Sequence, residues 1–173
     1  MKKLVLALGI LIAATAATAT MADDGGFGIG AGIVKVKTED TSHLWLTANL
    51  RLMMAANVAL EPEVGWFRET EGDEHVDVFN GGGSLLFIIP SHQVNVFAGA
   101  GLGAHMSRTS IAGGSSSDTH LGYHGLAGLD LKASGAVSLF GAVRYEIVDV
   151  EVNTAGDKLK QWKFYGGLRF RSH

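Results

Sequence analysis

The chain contains no cysteine among its 173 residues and has only 2 prolines. The lack of cysteine excludes a disulfide framework, and it excludes attachment of lipid to a cysteine behind a signal peptide. Beyond the N-terminal segment, no stretch is long and apolar enough to span a membrane as a helix. Basic residues are few, and the formal charge is −3. We therefore expect no nucleic-acid partner, and we predict no cofactor.

The first 22 residues have the organisation of a secretory signal peptide. Two lysines precede an apolar run over residues 4–14, and small residues follow. This apolar run is too short to cross a membrane as a helix. We predict a cleaved signal peptide over residues 1–22, with cleavage after Ala19 or Ala22, and one exported domain over residues 23–173.

Two consecutive runs, His43–Met54 and Asn57–Arg68, alternate between apolar residues and polar ones. A period of two over runs this long predicts β-strands, because successive side chains of a strand leave opposite faces. The short connection between the runs predicts an antiparallel hairpin. Folding about Ala56 sets Arg51 opposite Glu61, so that opposite charges meet across the two strands.

Runs of this kind continue through the rest of the exported domain. The connections alternate between tight turns and longer polar loops, and an up-and-down meander collects all the tight turns at one end. No segment shows a sustained helical period. The predicted strands are Gly26–Lys37, His43–Met54, Asn57–Arg68, Val76–Ile89, Gln93–Ser107, Thr119–Lys132, Ala136–Val150 and Leu159–Arg171.

Alternation alone does not decide which face of the sheet is inside. A soluble sheet buries its leucines, whereas a membrane barrel turns them to lipid and keeps its charges in the lumen. The apolar face carries almost no charge, while the polar face carries both signs, and this suits charges that pair inside a low-dielectric interior. The predicted lumen charge network consists of Arg51, Glu61, Glu63, Asp130, Arg144, Glu146, Lys163 and Arg169.

The aromatic residues of the apolar face favour the membrane barrel. They gather near the ends of the strands, where a bilayer meets water, and a soluble sandwich has no reason to sort them in this way. The sequence thus predicts an all-β, eight-stranded antiparallel up-and-down transmembrane β-barrel, whose narrow interior is filled by side chains. The predicted aromatic girdles comprise Trp66, Phe79, Tyr123, Tyr145 and Trp162 at the loop ends of the strands, and Phe27, Phe87 and Phe170 at the turn ends.

Three segments carry a resemblance to a known family. Phe27–Gly32 reads FGIGAG, Val96–Gly103 reads VFAGAGLG and Phe164–Phe170 reads FYGGLRF. With the signal peptide, they resemble the small eight-stranded outer-membrane β-barrel proteins of Gram-negative bacteria, the group that includes the outer membrane protein A- and X-like barrels. The last segment is similar to the closing strand that the family's assembly machinery reads.

The resemblance implies a location in the outer membrane. The partners that it implies are outer-membrane lipid, lipopolysaccharide and the assembly machinery, and we expect a monomer. It leaves the function open, because this fold has structural, adhesive and enzymatic members.

Two histidine patterns indicate alternatives that we weigh against simple filling of the lumen. His105 and Ser107 form a His-x-Ser pair, which lipid A deacylases with this barrel shape use, but the alternation turns both residues inward. His105, His120 and His124 could approach one another, and imidazoles bind zinc, but no cysteine or carboxylate is fixed beside them. We predict no catalytic residue and no metal site.

The loop ends of the strands are acidic. One hypothesis is that divalent cations bridge these carboxylates to lipopolysaccharide phosphates, and the alternative is simple solvation of polar loops. The acidic residues are Glu39, Asp40, Glu69, Glu71, Asp73, Glu74, Asp118, Asp149, Glu151 and Asp157.

For the function, the sequence favours a structural role in the cell envelope, without catalysis and with a plugged polar lumen. One alternative is a lipid-modifying barrel enzyme similar to lipid A deacylases. The other is a soluble periplasmic β-barrel that acts as a binding module.

Overall fold

The computed structural model describes residues 25–37, 42–71, 74–111, 114–149 and 158–171. The predicted signal peptide lies outside the described residues. No helix among the described residues is long and apolar enough to cross a membrane. The described residues form the strands β1 (Gly26–Val36), β2 (Ser42–Ala55), β3 (Val58–Glu71), β4 (Glu74–Ile89), β5 (Val94–Ile111), β6 (Gly114–Lys132), β7 (Val137–Asp149) and β8 (Lys158–Arg171).

The strands close into an antiparallel barrel, which confirms the predicted fold class. Each strand pairs with the next one along the chain, and β1 pairs with β8. Closure leaves no open sheet edge, and this is a requirement inside a bilayer, where no water can satisfy unpaired backbone groups. We call the end with the connections 56–57, 90–93 and 133–136 the turn end, and we call the opposite end the loop end.

Two of the loops that the predicted strands leave, 69–75 and 108–118, are too long. Strands β3 to β6 continue through most of Glu69–His75 and Arg108–Asp118, so that β5 ends at Ile111 and β6 begins at Gly114. These segments are rich in polar residues and lack an apolar face. A strand that extends beyond the hydrocarbon is wetted on both sides, and it therefore shows no alternation of this kind. The remaining strand boundaries differ from the prediction by at most one residue.

The β2–β3 hairpin has the predicted register, in which Asn49 pairs with Glu63. Residues 56–57 separate the two strands, one position later than the gap between the predicted strands. The register shifts between Met53 and Ala55, next to the turn. Such an irregularity bends the end of a strand away from the regular ladder.

The exposed fractions of the side chains decide which face is inside. Leu44, Leu102 and Leu121 of the apolar face are 62%, 72% and 69% exposed, whereas Arg51 is 1% exposed. A soluble sheet protein shows the opposite arrangement, so the apolar face is the one that suits lipid. Leu52 is an exception, since the alternation places it outward but it is 9% exposed, beside the irregular end of β2.

Glycines on one wall of the lumen leave space for large side chains from the other walls. A Cβ atom on Gly128 would lie 2.5 Å from Phe97 Cζ, and one on Gly30 would lie 2.9 Å from Phe140 Cζ. Contacts this short require one of the two groups to move. The glycine-rich segments therefore serve packing, as expected for an eight-stranded barrel with a narrow interior.

Candidate functional site

The eight residues of the predicted charge network are buried in the lumen, and they form two separate groups. The first group, which we call the turn-side ring, consists of Arg51, Glu61, Asp130 and Arg169. Arg51 Nε donates to Glu61 Oε2 at 2.7 Å, and Arg169 donates to the same oxygen at 3.0 Å. Asp130 accepts from Arg51 and, at 2.5 Å, from Arg169. Two cations and two carboxylates thus close a ring without net charge.

The second group, which we call the loop-side network, consists of Glu63, Arg144, Glu146 and Lys163. Arg144 donates to Glu63 Oε1 at 2.6 Å, and Lys163 Nζ donates to Glu146 Oε2 at 2.7 Å. Glu146 also accepts from His105 Nε2 at 3.0 Å and from Gln161 Nε2 at 2.8 Å. This group is also balanced in charge, but it consists of two separate ion pairs rather than a ring, and Glu146 collects most of its hydrogen bonds.

Aromatic rings cover the buried cations of both groups. The guanidinium of Arg51 lies 4.4 Å from the ring centroid of Phe97, and Lys163 Nζ lies 4.8 Å from that of Trp45. Trp45 in turn packs edge-to-face on Tyr165, with ring centroids 4.6 Å apart. Cation–π contacts in a desolvated setting contribute up to about 2 kcal/mol each. Charged side chains and the aromatic rings packed against them therefore occupy both parts of the lumen.

Sequence reasoning missed a contact between Ser84 and His124 beside the loop-side network. Ser84 Oγ is hydrogen-bonded to His124 Nε2 at 2.7 Å, and His124 Nδ1 lies 3.7 Å from Glu146 Oε1, too far for a hydrogen bond. The order serine, histidine, carboxylate is that of serine hydrolases. The space beside these groups is about 10 Å³, which holds no more than one water molecule. Only the inward parity of Ser84 on β4 could have indicated the contact.

The other histidine patterns are also placed by the structure. His105 is 6% exposed in the lumen, so the His105–Ser107 pair does not present its imidazole to lipid. His105 and His120 are paired across β5 and β6. Among the described side chains, no group of three or more His, Cys, Asp or Glu residues could hold a metal ion.

Of the acidic loop-end residues, only Asp118 and Asp149 have side chains that the structure describes, and both are exposed.

The aromatic residues proposed for the girdles lie on the outer face. At the loop end, Trp66 Nε1 donates to Asp77 Oδ1 at 3.1 Å, and the rings of Tyr145 and Trp162 pack across two strands with centroids 4.7 Å apart. Rings with one apolar side and one polar tip are those that a membrane–water interface favours. The turn end has phenylalanines instead. The full set is Phe27, Phe87 and Phe170 at the turn end, and Trp66, Phe79, Tyr123, Tyr145 and Trp162 at the loop end.

Four exposed lysines lie on the outer face at the loop end, where β1 meets β8. Lys35 is paired with Trp162, and the backbone N–H of Lys37 donates to the carbonyl of Lys160 at 2.9 Å. The charges therefore lie beside an aromatic residue of the loop-end girdle. We call this group the basic edge, which consists of Lys35, Lys37, Lys158 and Lys160.

A model of the family described as outer membrane protein beta-barrel domain matches residues 4–170 of the chain. The chain belongs to this family. Membership agrees with the closed barrel and with the apolar outer face, and it indicates the outer membrane as the location. No curated protein sequence matches the chain.

Solved structures of small outer-membrane barrels are similar to this fold. Neisserial surface protein A superposes with a TM-score of 0.71 at 14% identity, covering 86% of this chain and 96% of that one. The N-terminal β-barrel domain of OprF from Pseudomonas aeruginosa gives 0.60 at 10% identity, covering 86% and 100%. The outer membrane enzyme PagL gives 0.53 at 12% identity, covering 81% and 97%. At these identities the likeness concerns the fold alone.

Proposed function

We propose that this protein is a structural component of the outer membrane, without catalytic activity and without an open channel. The observation that supports the proposal most directly is the burial of two charge-balanced groups in the lumen. Every one of their eight residues is buried, and aromatic rings pack against the cations. The bore of an eight-stranded barrel is just wide enough for side chains to fill it.

Conductance across planar lipid bilayers tests the absence of a channel. We expect the purified full-length protein to insert without a steady unitary conductance, because an ion would have to displace buried charges that are already paired. Co-flotation of the same preparation with lipid vesicles controls for protein that fails to insert. A reproducible unitary conductance that depends on the presence of this protein would overturn the proposal.

We further propose that phosphate groups of outer-leaflet lipid contact the basic edge. Its four lysines are exposed at the height of the loop-end girdle, in a chain whose formal charge is negative. Ammonium groups at a membrane surface are attracted to anionic lipid by about 1 kcal/mol each. The contact would anchor the barrel in a leaflet of lipopolysaccharide.

The melting temperature of the folded barrel in detergent, with lipid A added, tests this contact. We expect lipid A with both phosphates to raise the melting temperature more than dephosphorylated lipid A does. The double substitution Lys35→Gln/Lys160→Gln should reduce the difference, and Lys132→Gln/Arg171→Gln at the turn end should leave it unchanged. Equal shifts for both lipids would remove the basic edge from the proposal.

Assembly and oligomeric state complete the proposal. We propose that the outer-membrane assembly machinery engages β8, which closes the barrel against β1, and that the folded protein is a monomer. Replacement of Phe170 by Ala should lower the amount of assembled barrel in cells, scored by its heat-dependent gel migration.

The oligomeric state is tested separately. Light scattering in detergent should give the mass of one chain.

A lipid-modifying enzyme is the second candidate, because Ser84 and His124 are in hydrogen-bond contact and because the outer membrane enzyme PagL has a similar fold. The small space beside Ser84 argues against it, since an acyl chain cannot enter. We expect no release of fatty acid from purified lipid A. Release that is abolished in the Ser84→Ala variant, and retained in Ser107→Ala, would establish the enzyme instead.

A further inference from the structure

A cavity of about 210 Å³ lies at the loop end of the lumen, next to the loop-side network. Most of its wall is apolar, and two of its polar residues, His105 and Gln161, also contact Glu146. Cavities with apolar walls and a few convergent polar groups are the usual form of small-molecule sites. The apolar wall consists of Val36, Phe67, Val76, Val78, Val148 and Leu159, and the polar part consists of His105, Ser107, His120 and Gln161.

Gln161 contributes an acceptor that has no partner. Its side chain is 1% exposed, and its Nε2 donates to Glu146 Oε2 at 2.8 Å. Because a carboxylate can only accept, this bond fixes the orientation of the amide. Gln161 Oε1 is then left buried without a hydrogen-bond partner. A buried acceptor without a partner costs about 1–3 kcal/mol. Gln161 lines the cavity, so a small movement of its amide would bring Oε1 within reach of a donor placed there and remove that cost.

The size and charge of the cavity restrict what fits. An engineered apolar cavity of about 150 Å³ in another protein binds benzene, so 210 Å³ accepts a somewhat larger molecule. A charged molecule would find no free counter-charge, because Glu146 is already matched by Lys163 at 2.7 Å. The favoured ligand is therefore uncharged, mostly apolar and equipped with one hydrogen-bond donor.

We propose that this cavity binds a small uncharged alcohol or phenol, whose hydroxyl donates to Gln161 Oε1 and whose hydrocarbon part packs against Val78, Val148 and Leu159. The site gives the barrel a ligand at its mouth, in addition to its structural role. Passage through the barrel is not implied, because the two charge-balanced groups fill the lumen below the cavity.

Backbone amide NMR of the full chain in lipid nanodiscs, titrated with 4-propylphenol, tests the proposal. We expect saturable shifts at the amides of Val78, Val148 and Leu159, and no shift at Ala59 and Ile88 in the turn-end part of the lumen. Propylbenzene, which lacks the hydroxyl, should bind about fivefold more weakly, the effect of one hydrogen bond. Shifts that never saturate and that spread over the lipid-facing residues would mean partition into the bilayer, and they would overturn the proposal.

Two variants separate the cavity from the hydrogen bond. Val78→Trp should fill the space and abolish the saturable shifts, while Val96→Trp, which adds the same ring to the outer face, should leave them intact. Gln161→Leu should make 4-propylphenol and propylbenzene bind equally well. Unchanged binding of 4-propylphenol in Val78→Trp, or an unchanged preference for it in Gln161→Leu, would refute the assignment.

Discussion

The two ends of the lumen hold their charges in different ways. At the turn end, Asp130 and Glu61 each accept from two arginines, and the ring is packed against Phe97. At the loop end, one carboxylate collects a lysine, a histidine and a glutamine, and a cavity of about 210 Å³ lies beside it. The charges of both groups are buried and paired, but the carboxylates of the turn-side ring are shared between two cations, whereas each loop-side carboxylate pairs with one. The comparison teaches that one barrel can hold buried charge both in a closed ring and in separate ion pairs.

The largest effect is expected from Asp130→Asn. The change leaves two buried guanidinium groups with one carboxylate, and breaking a buried pair in this way costs about 3–5 kcal/mol. Urea titration of the folded protein in lipid vesicles, followed by tryptophan fluorescence, measures the loss. The exposed Asp149→Asn, which weakens a contact of 3.4 Å to Lys158, is the control, and it should cost no more than about 1 kcal/mol.

A smaller loss is expected from Glu146→Gln, which removes the same charge from the loop-side network. Only Lys163 loses an ion pair in this variant, because Arg144 keeps Glu63 at 2.6 Å and the glutamine oxygen can still accept from Lys163. The cost should therefore be that of incompletely satisfied polar groups, about 1–3 kcal/mol. The same urea titration applies. If Glu146→Gln costs as much as Asp130→Asn, the proposed difference between a shared carboxylate and a single ion pair is incorrect.

On the outer surface, the cost of a charged side chain can be compared between two depths in the bilayer. Ala31 pairs with Gly166, midway between the Phe27–Phe170 pair and the Lys35–Trp162 pair. Ala31→Arg should therefore place a charge near the bilayer midplane and cost about 2–4 kcal/mol. Leu50→Arg, beside Phe27 at the turn-end girdle, should cost about 0–1 kcal/mol. Ala31→Leu, with similar bulk and no charge, should fold normally in the same vesicles. Equal costs for the two arginines would contradict the depths assigned here.

The smallest effect is expected at the girdles. Trp162→Leu removes the ring contact with Tyr145, 4.7 Å between centroids, and such a pair contributes about 0.5–1.5 kcal/mol beyond its buried area. Phe170→Leu at the turn end should cost less, because no polar tip is lost from the interface. Urea denaturation in the same lipid vesicles measures both losses, and a larger loss for Phe170→Leu than for Trp162→Leu would contradict this expectation.

The strands and the orientation of their faces could be predicted from the sequence, because both follow from a local period of two. Arg51, Glu61 and Lys163 point inward by parity alone, and the hairpin register follows from the short turn. The turn-side ring itself could not be predicted. Asp130 on β6 reaches Arg51 on β2 across the lumen, and contacts between strands that are not neighbours depend on how the whole sheet closes.

The cavity and the Ser84–His124 contact could not be predicted from the sequence for the same reason. Val36, Phe67 and Val148 come from three strands that are distant in the chain, and no spacing links them. The extension of β5 and β6 was missed because polar strands outside the hydrocarbon carry no alternation. Features that depend on neighbouring residues, such as strands and the faces of the sheet, can be predicted. Contacts between distant strands depend on how the barrel closes and cannot.

The pairing of β1 with β8 has a consequence for synthesis. The outer edge of β1 has no partner until the fourteen residues of β8 have been synthesised. A copy that lacks β8 therefore keeps two unpaired strand edges, to which other chains can add. Truncation of this protein from its C-terminus should consequently yield fragments that aggregate rather than smaller barrels that fold.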